Sequence, residues 1–433
     1  MSRLLTRLMP DGRSDRRLWV LIAVFLVTRV AMAFLAGNPQ SYTRSGLPVT
    51  PYVYQCRDWG LQIVALGRTP YVGVPIEYPP GLLPFILFPA WMLQALHIPF
   101  LPSFVFLMML ADALGLIGVY RLATRWGSML GPWLWVIGLP LLGPMVLLRL
   151  DLVPAVATIW CLQRAAAGRW TSAGAFLGFG IIAKIYPLFL LPAGIAIDRT
   201  RKRFAVGALA AILLGLLPFI GSIQGMARSV GGFHFHRGVQ IESLWGNALL
   251  IASKFGYPAE VRRAFGSWEI NADLVPIIEG LSTVLSLGVV AFFSWWAWRA
   301  GSRGDAQFMA MLWFPTVACL LVTGRVLSPQ FLIWLVALGA ATACASKGIA
   351  RRAAFFLLGA ALLTQIEFPF GFLGLVQGDA GNIAVLTARN LCLLAVAGSA
   401  IRDVSQLKPV ALRRARTEAS SQRVAQGPSQ LAP

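Results

Sequence analysis

Only seventeen acidic residues occur among 433, so each one that falls beside or within a long apolar run is informative. Asp58 is the best placed of them, about twenty residues past the first such run in Arg57-Asp58-Trp59-Gly60. A carboxylate there has the chemistry of a general base, taking a proton from a hydroxyl that comes within hydrogen-bond reach. The alternative is a solvated acid paired with Arg57. Asp112 sits inside an apolar stretch, Met108-Met109-Leu110-Ala111-Asp112-Ala113, where a lone carboxylate is costly, so it either serves a polar cavity or ties helices together. Arg149 and Asp151, in Leu148-Arg149-Leu150-Asp151-Leu152, flank an apolar boundary and either line a cavity or form an interfacial ion pair.

Three cations fall on what the topology makes the outer side: Lys184 in Lys184-Ile185-Tyr186-Pro187, Arg237 in His236-Arg237-Gly238, and Arg325 in Thr323-Gly324-Arg325-Val326. Outer cations run against the positive-inside bias and call for an anionic partner; snorkelling to head groups is the alternative for each one. Together they favour an anionic lipid as ligand. The chain has no glycine loop for phosphates, no G-x-S-x-G elbow and no H-E-x-x-H helix, and its three histidines and five cysteines show no zinc spacing. No cofactor and no metal is therefore expected. Four of the cysteines lie inside apolar runs and only Cys56 outside, which argues against a disulfide framework.

The elements that must hold these residues are membrane helices. The chain is 57% hydrophobic and 12% charged, with repeated apolar runs near the ~20 residues that span a bilayer. Its formal charge of +20 suggests nucleic acid at first sight. The basic residues, however, stand in short blocks between apolar runs: Arg3 to Arg17, Arg199 to Arg203, Lys347 to Arg352 and Arg402 to Arg416. Such blocks mark cytoplasmic loops, and no basic patch is interleaved with stacking aromatics, so nucleic acid is excluded.

These constraints predict an all-α polytopic membrane protein of about twelve helices with both ends inside. Residues 1–17 form a cytoplasmic segment, 18–401 the transmembrane domain and 402–433 a disordered basic tail. The first run, from residue 18, is a retained anchor rather than a cleaved signal peptide. Segment 81–98 is apolar but proline-bracketed; reading it as re-entrant or interfacial puts every basic block inside. A broken helical hairpin is expected around Lys184, since Pro187 restricts the residue before it. Two outer loops, 37–80 and 222–275, are long enough to be functional. Val53 to Leu66 in the first has apolar residues at helical spacing and is expected to lie at the interface.

Asp58-Trp59-Gly60, followed by Pro70-Tyr71 and Tyr78-Pro79-Pro80, resembles the first outer loop of glycosyltransferase family 87. Lys184-Ile185-Tyr186-Pro187 and Ser328-Pro329-Gln330-Phe331-Leu332-Ile333-Trp334 resemble that family as well, in the same order along the chain. The resemblance implies a GT-C fold with its active site at the extracytoplasmic face of a bacterial cytoplasmic membrane. It implies a polyprenyl-phosphate sugar donor, most often mannose, and a glycolipid or lipid-linked glycan acceptor. The essential acid of the first loop maps onto Asp58, and Lys184, Arg237 and Arg325 become ligands of the donor phosphate. Substrate contacts are expected from Arg57, Trp59, Glu77 and Tyr78 in the first loop and from His236, Glu242 and Asn247 in the second. Asp151, Tyr186 and Gln330 complete that set. Arg57-Asp58 lacks a second acid in D-x-D spacing, which favours metal-independent transfer. Trp245, Tyr257 and Trp268 are further candidates for stacking on sugar. A transporter or lipid flippase would share the broken helix and the outer cations, but no internal repeat is visible, and alternating access does not require long outer loops.

Overall fold

The computed structural model describes residues 12–38, 50–196, 201–232, 237–264, 266–300, 305–345 and 350–405. The helices in chain order are α1 (Gly12–Gly37), α2 (Pro51–Val64), α3 (Leu83–Leu96), α4 (Phe100–Trp126), α5 (Leu130–Leu141), α6 (Leu152–Ala166) and α7 (Trp170–Ala183). They continue as α8 (Arg201–Leu216), α9 (Leu244–Ser253), α10 (Val275–Ala300), α11 (Ala306–Thr323), α12 (Leu332–Ala345), α13 (Ala350–Gln365) and α14 (Ala380–Ser405). Among the described residues, seven helical stretches are long and apolar enough to cross a membrane, and seven further apolar helices are shorter. Pro80–Leu96, the proline-bracketed segment, belongs to the shorter group.

Burial separates lipid-facing helices from the centre of the bundle. Along α12, every residue from Leu332 to Cys344 is buried, the mark of a helix surrounded by protein on all sides. Helices α8 and α10 instead leave rows of apolar side chains uncovered, among them Leu209, Leu213, Ile277, Val284 and Leu287. An uncovered apolar row of that kind suits lipid, not water. Close helix contacts rest on glycine: a Cβ on Gly174 would strike the Phe204 carbonyl and one on Gly207 the Thr171 carbonyl, where α7 packs on α8.

One buried ion pair joins three helices. Arg29 of α1 donates from Nε to Asp112 Oδ2 of α4 at 2.6 Å, and Trp135 Nε1 of α5 donates to Asp112 Oδ1 at 2.8 Å. The Arg29 Nη1 donates to the Val136 carbonyl at 2.8 Å. Of the two readings of Asp112, the structure selects the tie between helices.

The hairpin break falls at Lys184, which is extended (φ −157°, ψ 147°) after α7, and Pro187 then opens a 3-10 turn over Tyr186–Leu190. Among its described residues, loop 222–275 holds more regular structure than the sequence suggests. It holds α9, capped where Ser243 Oγ accepts from the Gly246 N–H at 2.9 Å, and a small sheet of β1 (Val239–Gln240), β2 (Glu260–Ala264) and β3 (Ser267–Asn271). The strands are antiparallel in the order β1-β3-β2, with Ile270 opposite both Val239 and Val261. Ile270 packs with Leu249, Leu250, Phe372 and Leu386 in a second, smaller core. The basic tail from residue 406 and the first eleven residues lie outside the described residues.

Candidate active site

A cavity of about 550 Å³ opens among eight chain segments. Pro51, Tyr52 and Gln55 enter it from the start of α2, and Glu77 and Tyr78 from the turn ahead of Pro79. Arg149 and Lys184 come from breaks between helices; Arg237, Gln240 and Glu242 come from the strand β1 and its flanks. The β2–β3 hairpin adds Arg263, Gly266, Ser267 and Trp268, the stretch before α12 adds Ser328 to Phe331, and Phe368 and Phe372 close one side. Helix breaks supply much of the wall because there the backbone turns side chains into one space instead of onto a neighbouring helix.

Lys184 Nζ donates to Asp151 Oδ1 at 2.7 Å, with the two side chains 10% and 1% exposed. Its ammonium stands 5.3 Å from the Tyr78 ring centroid, 5.5 Å from Phe331 and 5.3 Å from Trp334, an aromatic cage that favours a cation. Tyr186 stacks on Trp334 at 4.2 Å and shares a 3.0 Å hydrogen bond with Thr158, so it supports this cage from behind and does not line the cavity. Arg149 lies 4.3 Å from the Tyr52 ring, and its buried Nε and Nη1 have no hydrogen-bond partner. A buried guanidinium with open donors is built for an anion.

Arg237 lines the same space. Burial pushes its pKa down, while Glu269, Tyr78, Glu242 and Glu77 push it back up; an arginine stays charged through such a shift. Four cations on the wall (Arg149, Lys184, Arg237 and Arg263) face two carboxylates, Glu77 and Glu242. Glu242 is 2% exposed, accepts from Gln240 Nε2 at 2.6 Å, and has its carbonyl held by Arg389 Nη2 at 2.8 Å. Burial first, and then Glu367, push its pKa well up. Burial also raises Glu77, with Arg237 and Gln55 pulling in the other direction.

The expected site residues divide accordingly. Glu77, Tyr78, Lys184, Arg237, Glu242 and Gln330 reach the cavity, and Asp151 stands directly behind Lys184. Asp58 is not on the wall. Helix α2 buries Val53, Cys56, Trp59 and Gly60, and position 58 lies on its exposed face, one turn beyond the wall residue Gln55. Its carboxylate, 57% exposed, accepts from Arg57 Nη2 at 2.9 Å. The expected interfacial helix thus packs its apolar stripe on protein, where Gly60 meets Ile86 and Ala90 of α3. Trp59 is buried beside Tyr78, with ring centroids 6.2 Å apart. Asn247 donates to Thr387 at 3.0 Å, and Arg325 contributes its carbonyl to the Gln240 N–H at 3.0 Å; neither lines the cavity. His236 lies outside the described residues. Among the stacking candidates Trp268 is on the wall, whereas Trp245 donates to the Thr323 carbonyl at 2.9 Å and the Tyr257 hydroxyl accepts from the Leu274 N–H at 3.2 Å. Arg149, read from sequence as a cavity or ion-pair residue, is on the wall, while Asp151 pairs with Lys184; Tyr52, Gln55 and Arg263 are wall residues that the sequence reading did not single out. Arg149 alone carries a signal, an arginine at the outer end of an apolar run. Among the described residues no group of three or more His, Cys, Asp or Glu side chains is placed to hold a metal ion.

A helical membrane protein whose helix breaks converge on a cation-rich cavity is the class that fold and site define. The chain belongs to glycosyltransferase family 87, whose model matches residues 77–329, more than half of its length. It is a glycosyltransferase with helices long and apolar enough to cross a membrane. Among curated proteins none matches. Similar solved structures include ArnT from Cupriavidus metallidurans bound to undecaprenyl phosphate, at 14% identity and a TM-score of 0.46, covering 95% of this chain and 81% of that one. The archaeal oligosaccharyltransferase AglB from Archaeoglobus fulgidus, in complex with an inhibitory peptide and a dolichol-phosphate, is similar at 12% identity and a TM-score of 0.40, covering 89% and 56%.

Proposed function

We propose that this glycosyltransferase moves a sugar, mannose in the first instance, from a polyprenyl-phosphate donor to the hydroxyl of a glycolipid or lipid-linked glycan. The cavity then lies at the extracytoplasmic face. The observation that carries the reading is the open Arg149 guanidinium on a wall shared with Lys184 and Arg237. A phosphomonoester leaving group gathers negative charge as the bond to the anomeric carbon breaks, and fixed cations in a water-poor cavity stabilise that charge most. Asp151 fixes Lys184 in place, while Arg149 keeps donors in reserve for the phosphate.

Transfer proceeds by direct displacement in this reading. A carboxylate takes the proton of the acceptor hydroxyl, the oxygen attacks the anomeric carbon, and the lipid phosphate departs from the opposite face, so the anomeric configuration inverts. Trp268 and Phe331 offer flat apolar faces for sugar rings on the wall. The resemblance assigns the base to Asp58; the wall carboxylates Glu77 and Glu242 compete for that role.

The test uses purified full-length protein in liposomes with polyprenyl-phosphate mannose and a bacterial membrane lipid extract. Polyprenyl phosphate should be released and a lipid heavier by one hexose should appear by mass spectrometry. No release from any polyprenyl-phosphate sugar, with protein that still binds polyprenyl phosphate, overturns the reading.

A further inference from the structure

We infer that Glu77, and not Asp58, is the catalytic residue that takes the acceptor proton; the inference rests on the transferase reading above. Glu77 stands on the wall of the cavity that holds Arg149, Lys184 and Arg237. A base and the cations that receive the leaving group must serve one substrate complex, and a shared cavity meets that condition. Asp58 is not among the residues lining it, and one of its oxygens is held by Arg57.

The local chain makes Glu77 a well-fixed group. Its neighbour Ile76 is fully buried, and the Tyr71 hydroxyl donates to the Tyr78 carbonyl at 2.8 Å. Pro79 and Pro80 follow at once and lock their own φ angles. The turn therefore holds residue 77 from both sides, and a base held on a rigid turn loses little entropy on meeting its substrate.

The other carboxylates near the cavity are less open to an acceptor hydroxyl. Asp151 is paired with Lys184 at 2.7 Å and is 1% exposed, so an acceptor hydroxyl does not reach it. Glu242 has one oxygen tied to Gln240 at 2.6 Å and is 2% exposed, which leaves an acceptor hydroxyl little approach. Glu269 is 2% exposed on β3 and accepts a 3.4 Å contact from Ser267. Glu77 is only partly buried. The titratable and polar groups that face it are Arg237, Cys56 and Gln55. Burial outweighs Arg237 and raises its pKa, which strengthens it as a base.

The step balances within the proposed reaction. The Glu77 carboxylate accepts the hydroxyl proton, the acceptor oxygen uses its electron pair to bond the anomeric carbon, and the carbon–oxygen bond to phosphate breaks with its pair on the phosphate. Glu77 returns its proton to solvent.

The deciding experiment measures polyprenyl phosphate release by wild type, E77Q, E77D, E242Q and D58N, with polyprenyl phosphate binding measured on each. E77Q should lose about 10²–10⁴-fold in kcat, the usual worth of a positioned base, with lipid-phosphate affinity within a few-fold of wild type. D58N and E242Q should lose far less, and E77D should keep a shifted acid limb of the pH profile that E77Q lacks. Azide needs no deprotonation, so E77A given azide should form glycosyl azide. Wild-type inactivity on every donor sinks the transferase reading itself. An active wild type with an equally active E77Q sinks only the assignment of Glu77. Loss in E77Q that is matched by lost lipid-phosphate binding and yields no glycosyl azide in E77A also overturns it, since the residue would then be structural.

Discussion

Lys184 of the broken hairpin and Asp151 at the head of α6 form a 2.7 Å ion pair at the back of the cavity, so one contact both shapes the wall and holds a cation for the donor. Removing one partner of a buried pair leaves the other charge uncompensated and costs about 3–5 kcal/mol. Lys184→Ala should therefore lower the thermal unfolding midpoint in detergent markedly. The double variant Lys184→Ala with Asp151→Asn should recover much of that loss yet remain weak in donor binding. Equal midpoints for single and double variants would show that the pair does not carry this burial cost.

Arg149 belongs to no motif but carries buried unpartnered donors, so it should matter to donor binding. A hydrogen bond to a charged group is worth about 1.5–3 kcal/mol, so Arg149→Ala should weaken polyprenyl phosphate binding about 10- to 100-fold. Arg325→Ala should weaken it much less, because the cavity uses the Arg325 backbone carbonyl as a brace for Gln240. Isothermal titration with a short-chain polyprenyl phosphate reads both.

The Arg29–Asp112 pair is structural. Asp112→Ala should reduce the yield of folded protein and its unfolding midpoint, with a loss of about 3–5 kcal/mol for an uncompensated charge. Replacing both partners, as Arg29→Met with Asp112→Leu, should restore the midpoint, and the specific activity of the folded fraction should stay near wild type. A fall in specific activity at full folding would place the pair in the chemistry instead.

Leaving-group stabilisation by Arg149, Lys184 and Arg237 requires no divalent ion. Activity should persist in excess chelator and should not rise more than twofold on adding magnesium or manganese. A strict metal requirement would remove the cation-only account.

Hydropathy and charge blocks made the membrane class legible, because spanning helices advertise themselves over ~20 residues. The break at Lys184 was legible as well, since proline marks it. Glu77, Tyr78, Glu242 and Gln330 could be singled out because each lies in or beside a motif. What the sequence hid is the meeting of distant segments. Arg263 and Trp268 reach the wall only because β2 and β3 pair, and Asn247 finds its partner 140 residues away. Asp58 shows a second limit: an acid in the right loop, on the exposed face that Val53, Cys56 and Trp59 leave when they bury, stands one turn past Gln55 and off the wall. The sheet in the second outer loop went unread because its strands are two to five residues long, too short for alternation to stand out.

The tie between Arg29 and Asp112 also dictates an order of events during synthesis. Ribosomes deliver Arg29 to the bilayer 83 residues before its counter-charge, and an arginine in mid-membrane has only the snorkelling route to water until then. The first helix thus enters as a provisional tenant, anchored for good only when the fourth and fifth helices arrive with Asp112 and the Trp135 indole.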